Sequence, residues 1–261
     1  MNAIDLHTAR FSRPRISVCM ATYNGERFIH EQLRTILVQL QYDDEVIVSD
    51  DSSTDSTVDL INSFNDPRIR LFKNQTFRSP VYNFEHALKQ ATGEVIFLSD
   101  QDDEWVDGWV DTALKELRSV SLVVCDADMI DSNGALRLSP EAQIYRGSKR
   151  KSGLIRNFYR NGYIGCCCAF RREILDVALP FPRNLPWHDW WIGIVANAFF
   201  TTKFIRDRKI RYRRHGGNAS PTSEISSATL AEKIRMRWNL GTALFKRWVN
   251  NSHYKANLPG I

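Results

Sequence analysis

Four acidic side chains lie within five residues of one another, directly after an apolar run. The run 95–98, Val-Ile-Phe-Leu, has the β-branched and aromatic composition of a buried strand, and the acids after it are Asp100, Asp102, Asp103 and Glu104. Carboxylates this close repel one another unless a positive charge lies among them. Mg²⁺ takes one or two carboxylates and completes its coordination with phosphate oxygens and water. The pattern therefore predicts a divalent metal that holds a phosphate group; the alternative is a solvated acidic loop that favours the start of the next helix.

Strands and helices that alternate along the chain are expected to position these acids. Predicted strands cover residues 16–21, 45–49, 69–72, 95–98 and 121–125, and predicted helices cover residues 28–40, 52–64, 83–90, 105–118 and 190–200. The second helix is expected to begin with a capping box at residues 52–55. This alternation predicts an α/β fold with a mostly parallel central sheet flanked by helices. In such sheets ligands bind beyond the carboxyl ends of the strands, where the acids lie.

The composition is that of an ordinary globular protein. Of the 261 residues, 43% are hydrophobic and 25% are charged, and no uncharged apolar run approaches the length of ~18 residues that spans a bilayer. Residues 1–15 lack the apolar segment of a signal peptide, which predicts a cytoplasmic protein. The five cysteines lack metal-ligand spacing and are expected to be buried, inert thiols.

Charge is distributed unevenly along the chain. Residues 1–199 contain 22 Lys and Arg against 27 Asp and Glu, a net charge of −5, whereas residues 200–261 contain 13 against 3, a net charge of +10. The basic end suits an anionic surface, either nucleic acid or a phospholipid headgroup layer. Nucleic acid is the weaker candidate, because the aromatic residues are not interleaved with basic ones as a stacking groove requires. The predicted helix 232–249 is basic and amphipathic, so it either lies on a membrane surface or packs on the domain.

Three segments carry a resemblance to a known family. They are Ala-Thr-Tyr-Asn-Gly-Glu at 21–26, Val-Ser-Asp-Asp-Ser-Ser-Thr-Asp-Ser-Thr at 48–57 and Leu-Ser-Asp-Gln-Asp-Asp at 98–103. In this order and spacing they resemble the family 2 glycosyltransferases, which have the GT-A fold. Trp-His-Asp-Trp-Trp at 187–191 and Tyr-Arg-Arg-His-Gly-Gly-Asn at 212–218 are similar to the rhamnosyltransferase-like branch, which makes bacterial surface polysaccharides.

The resemblance implies a domain organisation and an activity. Residues 15–220 would form the GT-A domain, with a nucleotide-binding half at 15–105 and an acceptor half at 106–220, between an N-terminal extension at 1–14 and a basic helical tail at 221–261. The implied reaction moves a sugar, with inversion, from a nucleoside-diphosphate donor to a saccharide or lipid-linked acceptor. The implied donor is a dTDP- or UDP-sugar, and the implied cofactor is Mg²⁺ or Mn²⁺.

The resemblance also assigns roles on the donor side. Asp51 would accept a hydrogen bond from the ring N–H of uracil or thymine, Asp100 would face the ribose and the metal shell, and Asp102 would bind the cation directly. The metal would neutralise the leaving diphosphate as a Lewis acid. The other residues expected to contact the donor are Thr22, Tyr23, Asn24, Glu26, Arg78 and Asn83.

On the acceptor side, Asp189 is the candidate general base, which must come within hydrogen-bond reach of the acceptor hydroxyl. The alternative makes Asp189 only an N-terminal acid of the helix that follows. His188 is either an orienting neighbour of Asp189 or a surface residue of the first turn. One of three nearby tryptophans is expected to stack on a sugar face, the candidates being Trp187, Trp190 and Trp191.

Other groups allow more than one interpretation. The resemblance gives His215 a diphosphate or metal contact from a closing loop, whereas a loop histidine is often without such a role. Arg213 and Arg214 either pair with phosphate oxygens or belong to a solvated basic face. A second Asp-x-Asp at 126–128 is a rival metal site or a polar strand end before a turn. Residues 139–160 are expected to form a mobile loop near the site.

Two functions from other classes compete with the enzyme. A non-catalytic nucleotide-sugar-binding subunit of a polysaccharide assembly complex would share the fold, but it would need neither Asp102 nor Asp189. A nucleic-acid-binding protein is suggested only by the basic C-terminal part and a pI near 9.0.

Overall fold

The computed structural model describes residues 13–137, 153–216 and 229–251, which contain one eight-stranded sheet and eight α-helices. The strands are β1 (Ile16–Thr22), β2 (Glu45–Asp50), β3 (Ile69–Phe72), β4 (Val95–Ser99), β5 (Glu104–Trp105), β6 (Leu122–Ile130), β7 (Cys168–Arg171) and β8 (Thr202–Arg213). The helices are α1 (Ile29–Leu37), α2 (Thr57–Ser63), α3 (Pro80–Gln90), α4 (Trp109–Glu116), α5 (Leu154–Tyr159), α6 (Glu173–Ala178), α7 (His188–Phe199) and α8 (Leu230–Asn250).

The strands follow the order β3-β2-β1-β4-β7-β6-β8-β5. The first four are parallel, β7 runs antiparallel to β4 and β6, and β8 pairs parallel with β6 and antiparallel with β5. The predicted α/β fold is confirmed. The sheet is mostly parallel, as predicted: four of its seven strand pairings are parallel, and only β5 and β7 of the described strands run in the opposite direction. The carboxyl ends of β1, β2 and β4 lie at one edge of the sheet, where the sequence places the acids.

Continuous apolar segments form the central strands. Val18, Ile47 and Phe97 are fully buried, which is typical of strands covered on both faces. Trp109 and Trp191, the bulkiest fully buried side chains, anchor α4 and α7 in the same core. The loops at the strand ends therefore connect strands and helices that pack in one buried core.

The predicted helix 105–118 is wrong at its start. Glu104 and Trp105 instead form β5 and pair with Arg211 and Ile210 of β8. Gly108, at φ +74°, provides the left-handed turn from which α4 begins. Because the chain enters the sheet directly after the acidic residues, both ends of the acidic loop are fixed by strands.

The predicted capping box at 52–55 is also wrong. The Ser53 hydroxyl donates to Asp50 at the end of β2, and Asp55 accepts the backbone N–H and the hydroxyl of Thr57. The Ser53 and Asp55 side chains therefore do not form the predicted capping box, and α2 begins at Thr57.

Two later segments differ from the prediction as well. β6 continues to Ile130 and includes the rival Asp-x-Asp at 126–128, because β8 pairs along its length. α5 occupies the described end of the predicted loop 139–160. Most of the predicted N-terminal extension, most of that loop and parts of the tail lie outside the described residues. The segments concerned are 1–12, 138–152, 217–228 and 252–261.

The cysteines and the tail helix agree with the sequence. All five cysteines are buried and form no disulfide, so their predicted burial is confirmed. The predicted helix 232–249 corresponds to α8, which packs against α5 and α7 through Leu240. Within the described ranges, no helix is long and apolar enough to cross a bilayer.

Candidate active site

The two turns that follow β1 and β2 hold each other in place. Asn24, at φ +48°, accepts the backbone N–H of Thr54 at 2.9 Å, and its own N–H donates to Ser53 Oγ at 2.9 Å. The Glu26 carboxylate accepts the N–H of Ser56 at 2.9 Å. Asn24 and Glu26, which were predicted to contact the nucleotide-sugar donor, therefore fix the backbone between the two strand ends.

Gln101 joins the first turn to the acidic loop. Its Oε1 accepts the Tyr23 N–H at 2.9 Å, and its Nε2 donates to the Tyr23 carbonyl at 3.0 Å. The Tyr23 ring itself is exposed and can meet a ligand. The sequence reasoning did not single out Gln101, and its position inside Asp-x-Asp is the one signal that marked it.

Thr22 and Asn83 lie beneath this turn. Thr22 Oγ1 donates to Asp50 at 2.8 Å, and Asn83 Nδ2 donates to the Thr22 carbonyl at 3.2 Å. Both side chains are buried. The Thr22 hydroxyl and the Asn83 amide nitrogen bond the protein itself, so these two residues support the end of β1. Among the described residues, the buried Asn83 Oδ1 has no hydrogen-bond partner.

Asp51 follows β2 and faces the segment that leads into α3. Its carboxylate accepts the N–H groups of Phe77 at 2.7 Å and Ser79 at 3.3 Å. Arg78, between them, has a φ of +48° and an exposed side chain. Each carboxylate oxygen has two lone pairs, so Asp51 retains capacity to accept a further N–H from a ligand.

Asp100, Asp103 and Cys166 come together beyond the end of β4, with their ligand atoms within 4.8 Å of one another. Asp103 is only 1% exposed, and its Oδ1 accepts the Arg213 N–H at 2.8 Å. Its Oδ2 has no hydrogen-bond partner among the described residues. Burial, together with the neighbouring carboxylates, raises the pKa of Asp103 well above its usual value. Cys166 was not predicted to lie against these acids, because its partners are distant in sequence.

Crowding also affects Asp100. Burial and the charges of Asp102 and Asp189 raise the pKa of Asp100 to about 7. Such a group of carboxylates binds a cation readily, because the cation removes the repulsion among them. Its oxygen donors fit Mg²⁺ or Mn²⁺.

The two predicted metal ligands, Asp102 and His215, are adjacent. His215 Nε2 lies 2.8 Å from Asp102 Oδ2, and the His215 ring packs on Phe28 with the ring centroids 4.8 Å apart. The structure therefore brings the segment after β8 over the acidic loop. A cation here would have a carboxylate oxygen and an imidazole nitrogen within reach.

Arg213 is used inside the protein. Its Nε donates to the Asp102 carbonyl at 2.8 Å, and its Nη1 donates to the Asp131 carbonyl at 3.1 Å. Its Nη2 bonds Glu104, and the guanidinium carbon lies 4.8 Å from the centroid of the Phe28 ring. Arg213 therefore does not belong to a solvated basic face, and the guanidinium bonds named here are made to protein acceptors.

Asp189 lies in the first turn of α7. Its Oδ1 accepts Asn161 Nδ2 at 3.2 Å and the Trp190 N–H at 2.6 Å. Burial raises the pKa of Asp189 to about 6. Asp189 also lies near the acids after β4: a Cβ on Gly165 would lie 3.7 Å from Asp189 Cβ, and the sulfur of the next residue, Cys166, lies within 4.8 Å of ligand atoms of Asp100 and Asp103. The two interpretations of Asp189 are compatible, since a helix N-terminal acid here also reaches the site.

His188 is a packing residue beneath Asp189. Its ring stacks on Phe84 with centroids 3.9 Å apart, and no described residue hydrogen-bonds either ring nitrogen. Burial lowers the pKa of His188 to about 3, so the ring is neutral. A Cβ on Gly165 would lie 2.9 Å from His188 Nε2, which explains why a residue without a side chain stands there.

Two of the three candidate tryptophans are committed to the core. Trp190 Nε1 donates to the Asn157 carbonyl at 2.6 Å, and Trp191 Nε1 donates to the Ala178 carbonyl at 2.9 Å. Both rings are buried, whereas Trp187 is half-buried. Trp187 is therefore the candidate that retains ring surface for stacking on a sugar.

The rival Asp-x-Asp at 126–128 lies inside β6. Asp128 forms an ion pair with Arg208 of β8 at 2.8 Å. A carboxylate already paired with a cationic side chain on the adjacent strand is a poorer metal ligand than the crowded acids after β4.

Comparison with known proteins identifies the family. The family model described as Glycosyl transferase family 2 matches residues 17–178, more than half of the chain. The chain is 30% identical over 216 residues to the dTDP-rhamnosyl transferase RfbG of Shigella flexneri, and the alignment covers 76% of this chain and 72% of that protein. The chain belongs to glycosyltransferase family 2. This family 2 enzyme is also 26% identical over 191 residues to the Escherichia coli UDP-Glc:alpha-D-GlcNAc-diphosphoundecaprenol beta-1,3-glucosyltransferase WfgD, with 70% of each chain covered.

Solved structures share the fold of this family 2 glycosyltransferase. S. aureus TarS 1-349 in complex with UDP-GlcNAc has a TM-score of 0.64 at 20% identity, covering 89% of this chain and 73% of that one. The mannosyltransferase PcManGT from Pyrobaculum calidifontis, in complex with GDP-Man and Mn2+, has a TM-score of 0.58 at 21% identity, covering 93% and 65%. The predicted GT-A fold is confirmed.

Proposed function

We propose that this glycosyltransferase moves a sugar, with inversion, from a dTDP- or UDP-sugar to a saccharide or lipid-linked acceptor in bacterial surface polysaccharide synthesis. One geometric observation carries the proposal: a Cβ on Gly165 would lie 3.7 Å from Asp189 Cβ, and the next residue, Cys166, has its sulfur within 4.8 Å of ligand atoms of Asp100 and Asp103. This contact supports a candidate base beside the acids that follow β4. The names of two relatives, a dTDP-rhamnosyl transferase and a UDP-Glc transferase for a diphosphoundecaprenol, support these donor and acceptor classes. Rhamnose is accordingly one candidate sugar.

Asp102 and His215 are the residues we propose to hold Mg²⁺ or Mn²⁺, with Asp100 beside them. The unpartnered Oδ2 of buried Asp103 and the crowded carboxylates support a cation at this end of β4. When bound, the ion would supply Lewis-acid stabilisation of the negative charge on the leaving diphosphate. Arg213 would keep the Asp102 backbone in place, since its Nε donates to that carbonyl.

The chemical step proposed for Asp189 is removal of the acceptor hydroxyl proton. As the proton passes to the carboxylate, the acceptor oxygen forms a bond to the anomeric carbon and the bond from that carbon to the diphosphate oxygen breaks. Attack on the face opposite the diphosphate inverts the configuration. Asn161 holds Asp189 Oδ1, and a pKa raised to about 6 makes Asp189 a stronger base than an ordinary aspartate.

Nucleotide recognition is proposed for the rim formed by Asp51, Tyr23 and Arg78. Asp51 would accept the ring N–H of uracil or thymine, the exposed Tyr23 ring would contact the base or ribose, and Arg78 would approach the phosphates. Asn24 and Glu26 would hold the turn on which Tyr23 sits, through the bonds described above.

A lipid-linked acceptor implies work at a membrane. We therefore propose that the protein acts in the cytoplasm, peripheral to the inner face of the membrane. The net charge of +10 in residues 200–261 supports contact with an anionic surface.

Asp189→Asn is the decisive variant. Transfer from the accepted donor should fall by about 10²–10⁴-fold, while donor affinity should stay within about twofold, because the amide keeps the size but loses the basicity. Asp111→Asn, which removes the first-turn acid of α4, is the matched control and should leave transfer unchanged. A non-catalytic nucleotide-sugar-binding subunit would show donor binding without transfer in the parent protein, and undiminished transfer in Asp189→Asn would reject the assigned base.

A thermal-shift screen identifies the donor and the metal. A nucleotide sugar at 100 times its Kd stabilises the fold by about 2.7 kcal/mol, or roughly 5–10 °C for a chain of this size. The stabilisation should require Mg²⁺ or Mn²⁺, and this metal-dependent stabilisation should be lost in Asp102→Asn. Asp128→Asn, at the rival motif, should behave as the parent; the reverse outcome would move the metal to β6.

A further inference from the structure

Within the part of the chain that the structure describes, helix α8 is packed on one face only. Leu240 is buried, and Met236, Ala243 and Leu244 pack against the core. Arg237 donates to the Tyr159 carbonyl of α5 at 2.6 Å, and Arg247 bonds the Pro180 carbonyl. This inner face ties the helix to α5 and to the neighbourhood of α7.

A second apolar stripe runs along the outer side of the same helix. Ile234, Trp238, Phe245 and Val249 are separated by four, seven and four residues, so they share one face of an α-helix. All four are exposed, Trp238 by 71% and Phe245 by 62%. Two more exposed apolar side chains, Leu230 and Trp248, border this stripe. We call these six residues the outer stripe. Contiguous apolar surface of this kind marks an interaction site.

The charge beside the outer stripe restricts what can cover it. α8 carries five basic residues and one acidic residue, a net charge of +4, and α5 adds Arg156. Arg235 and Lys246 are both exposed on α8. A second copy of the chain packed through the same face would bring two such basic helices together and be repelled, whereas an anionic surface would be attracted.

We propose that the outer stripe inserts into the headgroup region of an anionic phospholipid bilayer, with Arg235 and Lys246 against the lipid phosphates. Tryptophan, phenylalanine and basic residues on one helix are the composition of an element that lies in the membrane interface. This inference rests on the proposed function, because a lipid-linked acceptor would be presented at the bilayer surface.

The adjoining helix α5 connects this surface to the site. Its Ile155 and Tyr159 are exposed apolar residues, and the Tyr159 carbonyl accepts the bond from α8. Two residues after Tyr159, Asn161 donates to Asp189. The Asn157 carbonyl of the same helix accepts the indole N–H of Trp190. The proposed base is thus held by the segment that borders the lipid-facing helix.

Co-sedimentation of the full chain with vesicles tests the proposal. The parent protein should bind vesicles of phosphatidylcholine mixed with phosphatidylglycerol, and should bind pure phosphatidylcholine at least about tenfold more weakly. The double variant Trp238→Ser/Phe245→Ser should lose about tenfold or more in binding. Val38→Ser/Tyr42→Ser, which removes two exposed apolar residues near the end of α1, is the matched control and should bind as the parent does.

The electrostatic part has its own pair of variants. Arg235→Gln/Lys246→Gln should weaken binding to the anionic vesicles by about tenfold, and added salt should weaken parent binding in the same direction. Lys73→Gln/Lys115→Gln removes two exposed basic residues elsewhere and should have no effect. Circular dichroism melting of each variant checks that the fold is kept.

Several results would overturn the proposal. They are absent vesicle binding by the parent, unchanged binding by the Trp238→Ser/Phe245→Ser variant, or a concentration-dependent dimer that this variant abolishes while vesicles are ignored. Transfer to a short soluble acceptor is measured beside binding and should be unaffected by the stripe variant. If the parent transfers no sugar, that result counts against the proposed function only. The vesicle-binding result still supports or overturns the membrane proposal.

Discussion

At the scale of single residues, the protonation of Asp189 decides when the site can work. Burial raises its pKa from the usual value to about 6, so the carboxyl holds its proton to a higher pH than an exposed aspartate does. A general base must be deprotonated. We therefore expect kcat/KM for transfer to fall about tenfold per pH unit below pH 6 and to level off above it. A profile that is flat between pH 5 and pH 7 would contradict this assignment.

The same burial affects stability. A carboxyl whose folded pKa lies above its unfolded pKa destabilises the fold when it is charged, and this cost disappears as the pH falls from about 6 through the unfolded value near 3.8. Asp189→Asn should therefore raise Tm by about 2–4 °C at pH 7.5, equal to about 1 kcal/mol, and by less at pH 4. Differential scanning calorimetry at both pH values measures the difference, and an equal or lower Tm at pH 7.5 would argue against a costly buried charge.

Arg213 is expected to be a positioning residue for the metal loop. Arg213→Met removes the bonds to the Asp102 and Asp131 carbonyls and breaks a buried ion pair with Glu104, which costs about 3–5 kcal/mol in other proteins. Mn²⁺ affinity, measured by electron paramagnetic resonance, should weaken together with Tm. Arg208→Met breaks only an exposed pair and should cost about 1 kcal/mol or less. Similar losses in the two variants would show that Arg213 has no special position.

At the scale of elements, α8 allows a direct test of its two apolar faces. Leu240→Ala on the inner face should destabilise the fold by about 2–3 kcal/mol, since it removes a buried side chain between α8 and the domain. Trp238→Ala on the outer stripe should change stability by about 0.5 kcal/mol or less. Urea unfolding of both variants measures this contrast, and equal losses would mean that both faces are packed in solution.

Elements differ in how far their sequence predicts them. β1, β2, β4 and the helices α1, α3 and α7 follow from apolar runs and helical spacing, because their partners are the core itself. β5 and β8 do not, since a two-residue strand and a strand with many basic residues acquire their structure by pairing with each other and with β6. The sequence did not predict α5, because a helix of six residues has too few turns to show a clear helical spacing of apolar residues.

The candidate site, like the fold, was predicted from the sequence only in part. Asp102 and His215, both predicted from motif positions as metal ligands, are adjacent in the structure, and their role stays a prediction. The motifs did not predict that the Thr22 and Asn83 side chains would be buried, or that Gln101 and Asn161 would hydrogen-bond Tyr23 and Asp189. These contacts join segments that are far apart in sequence, and no periodic pattern reports which polar side chain turns inward.

At the scale of the whole molecule, one continuous sheet joins the proposed nucleotide-binding half at 15–105 to the proposed acceptor half at 106–220. β4 pairs antiparallel with β7, so the parallel strands and the later strands share hydrogen bonds and a single core cluster. Unfolding should therefore be one cooperative transition. Urea titrations followed by tryptophan fluorescence and by far-UV circular dichroism should give coincident midpoints. Separated midpoints would show that the halves at 15–105 and 106–220 unfold independently.

The close approach of Gly25 and Gln101 has an evolutionary consequence. A Cβ at position 25 would lie 2.5 Å from Gln101 Oε1, and that amide is held by both its bonds to the Tyr23 backbone. The middle position of the Asp-x-Asp triplet is therefore not a neutral spacer in this chain. Relatives that carry a side chain at 25 should carry a shorter residue at 101, so the two positions should co-vary, and an alanine introduced at 25 should be tolerated only in a background where 101 has been shortened.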